Sequence, residues 1–382
     1  MSIWSLYLLT YTLIAFGYLW YRYIFLIGSD ATGAKGDYVG KVSIIIPFYN
    51  ENVDLLLRTV KSAHSCEGEK EIIVVDDGST SKLGYTELLG LKKEIPFQLV
   101  RYEQNKGKRH AQVIGFKKAK RDVIVTLDSD TLLDSKAIVN LIKPFSDMDI
   151  GATTGQLEIL NRKKNFLTRL ISARYWNAFN FERKSQSALG VIVCCTGPIS
   201  AYRGSFIKNI LEDYQHQTFM GKKCTYGDDR HLTTLALQKN YKIKFVKDAV
   251  GYTLAMDSWK KFLKQQVRWK KSWLRETFLV SKFMFKKSGF LSFEILISTF
   301  ITFFSMFARI GLFITLLLNP SYLFMALIIL ALMSILHSLY ILFNKPEYFF
   351  YSVFYGFVHA FIVYWTLIAA IVTFRNIKWG TR

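Results

Sequence analysis

The chain has 382 residues and a net charge of +21, from 50 Lys and Arg against 29 Asp and Glu, yet 51% of its residues are hydrophobic and 16% are aromatic. A mean hydropathy of +0.18 requires apolar surface that the core of a water-soluble protein of this size does not need. This composition excludes a disordered, collagen-like or disulfide-scaffold protein.

The amino-terminal residues 3–27 form an apolar stretch that is long enough to cross roughly 30 Å of hydrocarbon as a helix. The stretch has no basic start and no small-residue cleavage site, so we interpret residues 1–28 as a retained transmembrane helix rather than a signal peptide. Strongly basic residues follow. By the positive-inside rule they place the middle of the chain in the cytosol, which predicts a multi-pass protein of the plasma membrane.

The positive charge is concentrated between Arg22 and Lys287. Such an excess is compatible with nucleic acid, with an anionic membrane surface or with an anionic substrate. The four cysteines have no metal-ligand spacing and no secreted-framework pattern, which indicates unpaired thiols in a reducing environment. They are Cys66, Cys194, Cys195 and Cys224.

Residues 41–254 are predicted to form an α/β domain. Short β-rich runs begin at Lys41, Glu71 and Asp122, and helical patterns such as residues 52–65 separate them, as a parallel sheet built from βαβ units requires. Ligands of open α/β sheets lie beyond the carboxyl ends of the strands. Acidic side chains follow two of these strands, so we expect a ligand beside Asp76, Asp77, Asp128 and Asp130.

Two segments, residues 162–183 and 255–288, interleave Trp and Phe with Lys and Arg. This pattern is typical of helices that lie in the membrane interface, although an ordinary amphipathic surface helix has it too. We expect interfacial contact for the second segment because it leads directly into the apolar part of the chain.

Residues 289–374 contain three apolar blocks, at 290–318, 321–343 and 349–374. Three crossings from a cytosolic domain would leave the basic tail, residues 375–382, outside the cell, against the positive-inside rule. We therefore expect an even number of carboxyl-terminal transmembrane crossings and a cytosolic tail.

The acidic clusters DDGS (residues 76–79) and DSD (residues 128–130) predict a nucleotide site. Carboxylates two residues apart at a strand end can share a Mg²⁺ or Mn²⁺ ion, which bridges to phosphate oxygens and neutralises charge on a leaving diphosphate. Asp76 and Asp77 would then bind a nucleoside. The chain has no phosphate-loop glycine pattern followed by Lys-Ser or Lys-Thr, which disfavours ATP hydrolysis by that route.

The segment NKGKRH (residues 105–110) places three cations around a glycine. A solvated basic turn has the same composition. Beside a diphosphate, Lys106, Lys108 and Arg109 become candidates for binding phosphate oxygens.

The cluster GDDRH (residues 227–231) supplies a candidate general base. An inverting displacement at a sugar carbon needs a carboxylate opposite the leaving group that accepts the proton of the attacking hydroxyl, and we assign this role to Asp229. A helix N-cap with its partner Arg is the structural alternative. In QQVRW (residues 265–269), an indole can stack on sugar rings while Gln and Arg donate to hydroxyls and phosphate, although such a helix also suits a membrane surface.

Taken in order, DDGS, DSD, GDDR and QQVRW resemble the processive, membrane-integrated family 2 glycosyltransferases, which include the cellulose, chitin and hyaluronan synthases. Further segments, spread over essentially the whole chain, are similar to the hyaluronan synthase branch: residues 105–112, 175–187, 195–203, 227–233, 264–276 and 379–382. The resemblance implies an α/β fold: a GT-A type, Rossmann-like cytosolic catalytic domain combined with α-helical transmembrane and interfacial helices.

The resemblance also implies roles for individual residues. It places UDP against Asp76 and Asp77, and a Mg²⁺ or Mn²⁺ ion on Asp130 with Asp128 on the nucleotide side. It makes Asp229 the general base. The implied contacts to acceptor and diphosphate are Cys195, Gly197, Pro198, Asp228, Arg230, Gln265, Gln266, Arg268 and Trp269, with Trp379 and Thr381 in a gating tail near the nucleotide.

The implied activity is the polymerisation of hyaluronan from UDP-GlcNAc and UDP-GlcA, with the growing polysaccharide passing through the membrane helices. Membrane lipids, and no nucleic acid, are the other expected partners. Chitooligosaccharide or chitin synthases, which use UDP-GlcNAc only, share most of the motifs and are the alternative. A membrane-anchored module that binds anionic polymers or lipids without catalysis would explain the charge, but it leaves three acidic clusters unexplained.

Overall fold

The structure, a computed structural model, describes residues 3–29 and 36–375. The centre of the α/β domain is a sheet of eight strands: β1 (Val42–Phe48), β2 (Lys70–Asp76), β3 (Gln98–Arg101), β4 (Val123–Leu127), β5 (Leu132–Leu133), β6 (Ile150–Ile159), β7 (Ile199–Arg203) and β10 (Lys242–Thr253). A separate ribbon pairs β8 (Thr218–Phe219) with β9 (Lys222–Lys223).

The strand order is β3–β2–β1–β4–β7–β6–β10–β5. The first four strands in this order run parallel, while β7 runs antiparallel to both of its neighbours. All seven residues of β1 are buried, as expected for a central parallel strand that is covered on both faces. The predicted Rossmann-like α/β sheet is confirmed.

The helices in chain order are α1 (Ile3–Ser29), α2 (Val53–Ser65), α3 (Leu83–Leu91), α4 (Lys108–Lys118), α5 (Ala137–Ile142), α6 (Phe166–Asn177), α7 (Lys184–Ala188), α8 (Gly204–Gln215), α9 (Asp228–Gln238), α10 (Trp259–Ser281), α11 (Gly289–Leu318), α12 (Leu323–Asn344), α13 (Phe349–Val358) and α14 (Thr366–Val372). In α2 the Asn52 side chain caps the start by accepting from the Leu55 amide at 3.0 Å. The apolar face of α2 is buried in the domain core.

Three apolar helical segments are long enough to cross a membrane: Gly289–Leu318, Pro320–Asn344 and Pro346–Val372. The third contains a π-helical turn, His359–Val363, between α13 and α14. The predicted apolar helices are confirmed, and their crossing of a membrane, in an even number, stays a prediction. Helix α1, which holds the shorter apolar stretch Thr12–Ile27, packs against α7 and α11.

The two aromatic and basic segments are helical and join the α/β domain to the apolar helices. Helix α6 packs against α13, and α10 packs against α9 on one side and α14 on the other. Contact of either helix with the membrane interface stays a prediction. All four cysteines are free thiols, as predicted.

Candidate active site

Three neighbouring parallel strands, β2, β1 and β4, bring their carboxyl ends to one edge of the sheet. Phe48, the last residue of β1, is paired with Asp76, the last residue of β2. Asp128 directly follows β4. The acidic clusters predicted at strand ends therefore lie on the same edge.

The carboxylate of Asp76 is completely buried and is neutralised by Arg101. Arg101 Nη1 donates to Asp76 Oδ2 at 2.9 Å, and the Ser79 amide donates to Oδ1 at 2.9 Å. Arg101 Nη2 also donates to the Ser79 carbonyl at 3.1 Å. In this structure Asp76 fixes the turn that follows β2.

The carboxylate of Asp77 holds the NKGK loop. It accepts from Tyr102, from Asn105 Nδ2 at 2.9 Å, and from the amides of Lys106 and Gly107 at 2.9 and 3.2 Å. Burial raises the pKa of Asp77, and these donors oppose that rise. Asp77 thus ties the end of β2 to the start of α4.

A cleft opens beside these carboxylates, lined by residues after β1 and β2 that include Asn50, Glu51, Ser79 and Thr80. The Asn50 amide donates to Ser79 Oγ at 2.9 Å, and Ser129 Oγ donates to Glu51 Oε2 at 2.8 Å. Our sequence analysis missed Asn50 and Glu51. A signal was present, because Asn50 and Glu51 come within three residues of the end of β1, at the edge that Asp76 and Asp128 share.

Lys108 connects two of the acidic clusters. Its ammonium nitrogen lies 2.6 Å from Asp128 Oδ1 and 3.1 Å from Asp228 Oδ2. Burial alone would lower the pKa of Lys108, but the carboxylates of Asp128 and Asp228 outweigh burial and raise it. A Cβ atom at Gly197 would lie 3.3 Å from Asp128 Oδ2 and 3.4 Å from Lys108 Nζ, so this glycine lines the same site.

Asp228 and Asp229 begin helix α9 but have opposite pKa shifts. Burial would raise the pKa of Asp228, but the charge of Lys108, and then that of Arg109, lowers it. The pKa of Asp229 is raised by burial and by the charge of Asp228. A carboxylate with a raised pKa beside an ionised one is the arrangement that suits a general base.

The two remaining cations of the NKGKRH segment are placed differently. The side chain of Lys106 is exposed. Arg109 is 6% exposed, its guanidinium lies 5.1 Å from the Tyr214 ring centre, and none of its three nitrogens has a hydrogen-bond partner in residues 3–29 and 36–375. Buried donors of this kind normally meet an acceptor, which fits a phosphate ligand.

The Cys195 thiol lies in the core rather than in the open site. The residue is fully buried, and burial raises its pKa to about 12. Its amide donates to Thr233 Oγ1 at 2.8 Å, and Thr233 in turn donates to the Asp229 carbonyl at 2.8 Å. Cys195 therefore supports the segment that carries Gly197 and the half-buried Pro198.

The QQVRW residues lie on helix α10, which packs against α9. Gln265, Gln266 and Arg268 are half-buried, whereas Trp269 is 41% exposed, with its ring centre 6.4 Å from that of Tyr175. Burial raises the pKa of Tyr226, and the charge of Arg275, followed by that of Arg268, opposes this rise. Half-buried Arg230 lies on α9 beside Asp229.

Two predicted site residues, Trp379 and Thr381, lie outside the described residues. The described chain ends at Arg375, which lines a pocket together with Tyr226, Lys271 and Arg275. Tyr226 in this pocket lies two residues before the start of α9.

The predicted metal ligands are Asp128 and Asp130. Within the described ranges, no group of three His, Cys, Asp or Glu side chains could hold a metal ion by itself. The two carboxylates nevertheless fit Mg²⁺, which is usually held by one or two carboxylates and completes its shell with substrate phosphates and water. One oxygen of Asp128 meets Lys108, and Asp130 Oδ1 accepts from Thr131 Oγ1 at 3.4 Å.

Comparisons with known proteins identify a family of sugar transferases. Residues 43–211 match the family described as glycosyl transferase family 2. An N-acetylglucosaminyltransferase of Azorhizobium caulinodans is 38% identical over 273 residues, which cover 70% of this chain and 69% of that protein. A hyaluronan synthase of Streptococcus pyogenes is 35% identical over 374 residues, which cover 92% of this chain and 84% of that protein.

The fold has a counterpart among solved structures. The mannosyltransferase PcManGT from Pyrobaculum calidifontis, in complex with GDP-Man and Mn²⁺, superposes with a TM-score of 0.68 at 16% identity and covers 98% of this chain and 100% of that one. At this identity the likeness shows the GT-A fold alone. The N-acetylglucosaminyltransferase and hyaluronan synthase relatives, with the match of residues 43–211, show that the chain belongs to the family 2 glycosyltransferases that include the hyaluronan synthases.

Proposed function

We propose that the chain is a processive, inverting glycosyltransferase that polymerises hyaluronan from UDP-GlcNAc and UDP-GlcA. The observation that carries the proposal is the link from Asp128 through Lys108 to Asp228, next to the Asp229 carboxylate. This link places a cation for the leaving group and a base with a raised pKa in one site.

In the proposed complex, the nucleoside lies in the cleft lined by Asn50, Glu51 and Ser79. Asp76 and Asp77 hold the floor of this cleft, since their buried carboxylates fix the Ser79 turn and the NKGK loop. Lys106, Lys108, Arg109 and Arg268 bind the diphosphate.

Asp130, with Asp128 on the nucleotide side, would hold a Mg²⁺ or Mn²⁺ ion. When bound, such an ion neutralises part of the diphosphate charge. Lys108 remains the cation that this chain itself supplies there, and the neighbouring Asp128 and Asp228 carboxylates keep it protonated.

The acceptor is proposed to lie against Gly197, Pro198 and Arg230, between α9 and α10. Trp269, exposed on α10, stacks on a sugar ring, while Gln265 and Gln266 donate to sugar hydroxyls. Trp379 and Thr381, which lie outside the described residues, are proposed as substrate contacts from the family resemblance alone.

The reaction needs one proton transfer and one displacement. Asp229 accepts the proton of the acceptor hydroxyl while the hydroxyl oxygen bonds to the anomeric carbon of the donor sugar. The bond from that carbon to the β-phosphate oxygen breaks with inversion, and UDP leaves with the electron pair. Lys108 and Arg109 stabilise the developing negative charge.

Processive addition would pass the polymer from the cytosolic site through the helices formed by residues 289–374 to the outside of the plasma membrane. The alternative product is a chitooligosaccharide or chitin made from UDP-GlcNAc alone. The 38% identity to an N-acetylglucosaminyltransferase favours that alternative, whereas a hyaluronan synthase match over 92% of this chain favours our proposal.

The test supplies the full chain in membranes with UDP-GlcNAc alone, with UDP-GlcA alone, and with both. We expect polymer only with both donors, and we expect hyaluronidase to digest it. Polymer from UDP-GlcNAc alone would replace our proposal with the chitin alternative. No UDP release under any condition, together with salt-sensitive binding to anionic polymer, would indicate a non-catalytic binding module.

A further inference from the structure

Helix α10 carries a buried polar cluster one turn after the QQVRW segment. Its members are Ser272, Arg275 and Glu276, which we call the α10 clamp, and they are only 6%, 4% and 2% exposed. None of these residues belongs to the substrate contacts proposed above. The cluster contacts the segment that leads into Asp228 and Asp229.

Two members of the α10 clamp, Ser272 and Arg275, contact the residues just before α9. Arg275 Nη2 donates to the Tyr226 carbonyl at 2.7 Å. Gly227 has a φ of +76°, and a Cβ atom there would lie 2.0 Å from Ser272 Oγ and 2.7 Å from Arg275 Nη2. Any side chain at position 227 would therefore push the start of α9 away from α10.

The second half of the clamp is the Glu276 carboxylate. Its Oε1 accepts from Arg275 Nε at 3.0 Å and from Gln217 Nε2 at 2.7 Å, while its Oε2 lies 3.1 Å from His231 Nδ1. His231 Nδ1 also lies 2.9 Å from Gln217 Nε2, so Glu276, Gln217 and His231 form one buried polar network. His231 is on α9, one turn after Asp228, so Glu276 connects α10 to the helix that carries the candidate base.

The same network continues to the helix that carries Lys108. The ring of His231 stacks on that of Tyr214, with 6.1 Å between their centres. Tyr214 Oη donates to Gln112 Oε1 at 2.5 Å. Gln112 lies one turn after Lys108 on α4, so buried contacts join α10, α9, α8 and α4 behind the site.

Stability alone is a weak explanation for this cluster. Burying an ion pair such as Arg275–Glu276 costs desolvation energy that nearly cancels its attraction, and apolar side chains of similar volume often stabilise a core equally well. A buried ion pair does specify geometry, because each partner must meet the other in one arrangement. The geometry that the α10 clamp would specify is the 3.1 Å contact between Lys108 and Asp228.

We propose that the α10 clamp is a positioning device: Glu276, through His231 and Arg275, sets the start of α9 against Lys108 and the QQVRW residues. This inference rests on the proposed function, since it takes Asp229 as the base. Glu276 and Arg275 act through other residues and touch no substrate. The clamp thereby keeps the base aligned with an acceptor that the same α10 helix binds.

The test is Glu276→Gln in the full chain, which keeps the shape of the side chain and removes its charge. We expect kcat to fall roughly tenfold to a hundredfold, because small misplacements of a catalytic group cost this much. The KM for the UDP-sugar should stay unchanged, since Glu276 contacts none of the residues that line the nucleoside cleft. The acid limb of the pH–kcat profile should move to lower pH, because a displaced Asp229 loses part of the burial and the Asp228 charge that raise its pKa.

The control is Glu212→Gln, the same change at an exposed residue on α8, which should leave all three quantities unchanged. If Glu276→Gln is not recovered folded, Arg275→Lys takes its place with the same expected result, because lysine keeps the charge but cannot donate to the Tyr226 carbonyl and to Glu276 as the guanidinium does. A variant with wild-type kcat and pH profile per folded molecule, differing only in melting temperature, would overturn the inference. An inactive wild-type chain would instead overturn the proposed function.

Discussion

The ammonium of Lys108 lies 2.6 Å from a carboxylate oxygen of Asp128, although the two residues follow different strands of the sheet. The same nitrogen reaches Asp228, a further hundred positions along the chain, at 3.1 Å. One cation thus holds the end of β4 against the start of α9. The diphosphate side and the base side of the proposed reaction meet at this single side chain.

Replacing Lys108 by methionine should abolish most of the activity. The change removes the cation proposed to stabilise the leaving diphosphate and leaves Asp128 and Asp228 close together without their shared partner. We expect UDP release to fall about 10²- to 10³-fold, as when one transition-state donor is removed. Lys118→Met, at the exposed end of the same helix, is the control, and full activity in Lys108→Met would contradict the role.

Asp229→Asn tests the base directly. The amide has nearly the same shape but cannot accept the proton of the acceptor hydroxyl, so polymer synthesis should fall about 10²- to 10⁴-fold. Binding of UDP, measured by titration calorimetry, should be retained because Asp229 is not part of the nucleoside cleft. Asp213→Asn, at an exposed site on α8, should behave as wild type. Normal sugar incorporation by Asp229→Asn would exclude it as the base.

Much of this site follows from simple sequence rules. The β-rich runs at 41, 71 and 122, separated by helical patterns, predict parallel strands, and the strand-end rule places Asp76 and Asp128 on one edge. The structure agrees because these strands are buried on both faces, so their apolar character is unambiguous.

What the sequence could not show depends on pairing between distant segments. Arg101 neutralises Asp76 only because β3 lies beside β2, and Lys108 meets Asp228 only because α9 packs near α4. The Cys195 thiol was expected beside the acceptor, whereas the structure buries it, and no local pattern distinguishes these two placements. Side-chain partners of this kind are set by tertiary packing rather than by periodicity.

Gly227→Ala should be far more harmful than Gly221→Ala. Both glycines have a left-handed backbone, with φ of +76° and +75°, so both substitutions cost roughly 1 kcal/mol of strain. A Cβ atom at Gly221 meets nothing within 4 Å, whereas one at Gly227 would clash with Ser272. We expect Gly221→Ala to keep wild-type activity, and we expect both kcat and the melting temperature to fall in Gly227→Ala. Equal effects of the two substitutions would show that α10 yields to the new methyl group.

The ionised carboxylate of Glu276 should stabilise the folded protein, and this stabilisation should be lost at acid pH. Burial would raise its pKa, but His231, Arg275 and Gln217 outweigh burial and lower it from 4.5 to about 2. A carboxylate whose pKa is lowered by folding stabilises the protein above its unfolded pKa, and this contribution is lost as the pH falls through the folded value. In unfolding experiments, the advantage of wild type over Glu276→Gln should be full above pH 4.5 and shrink as the pH approaches 2. A difference that does not change with pH would show that the ionised carboxylate is not what stabilises this contact.

Removal of divalent metal should stop UDP release if Asp130 and Asp128 hold the ion as proposed. Excess EDTA should abolish activity, and Mg²⁺ or Mn²⁺ added back should restore it. Asp130→Asn should need a higher metal concentration for half-maximal activity, because it removes the carboxylate that Lys108 does not share. Asp248→Asn, an exposed substitution of the same kind, should keep the wild-type requirement. If EDTA-treated protein keeps its full activity, the chain's own cations, Lys108 and Arg109, must neutralise the diphosphate, and Asp130 then has no role in metal binding.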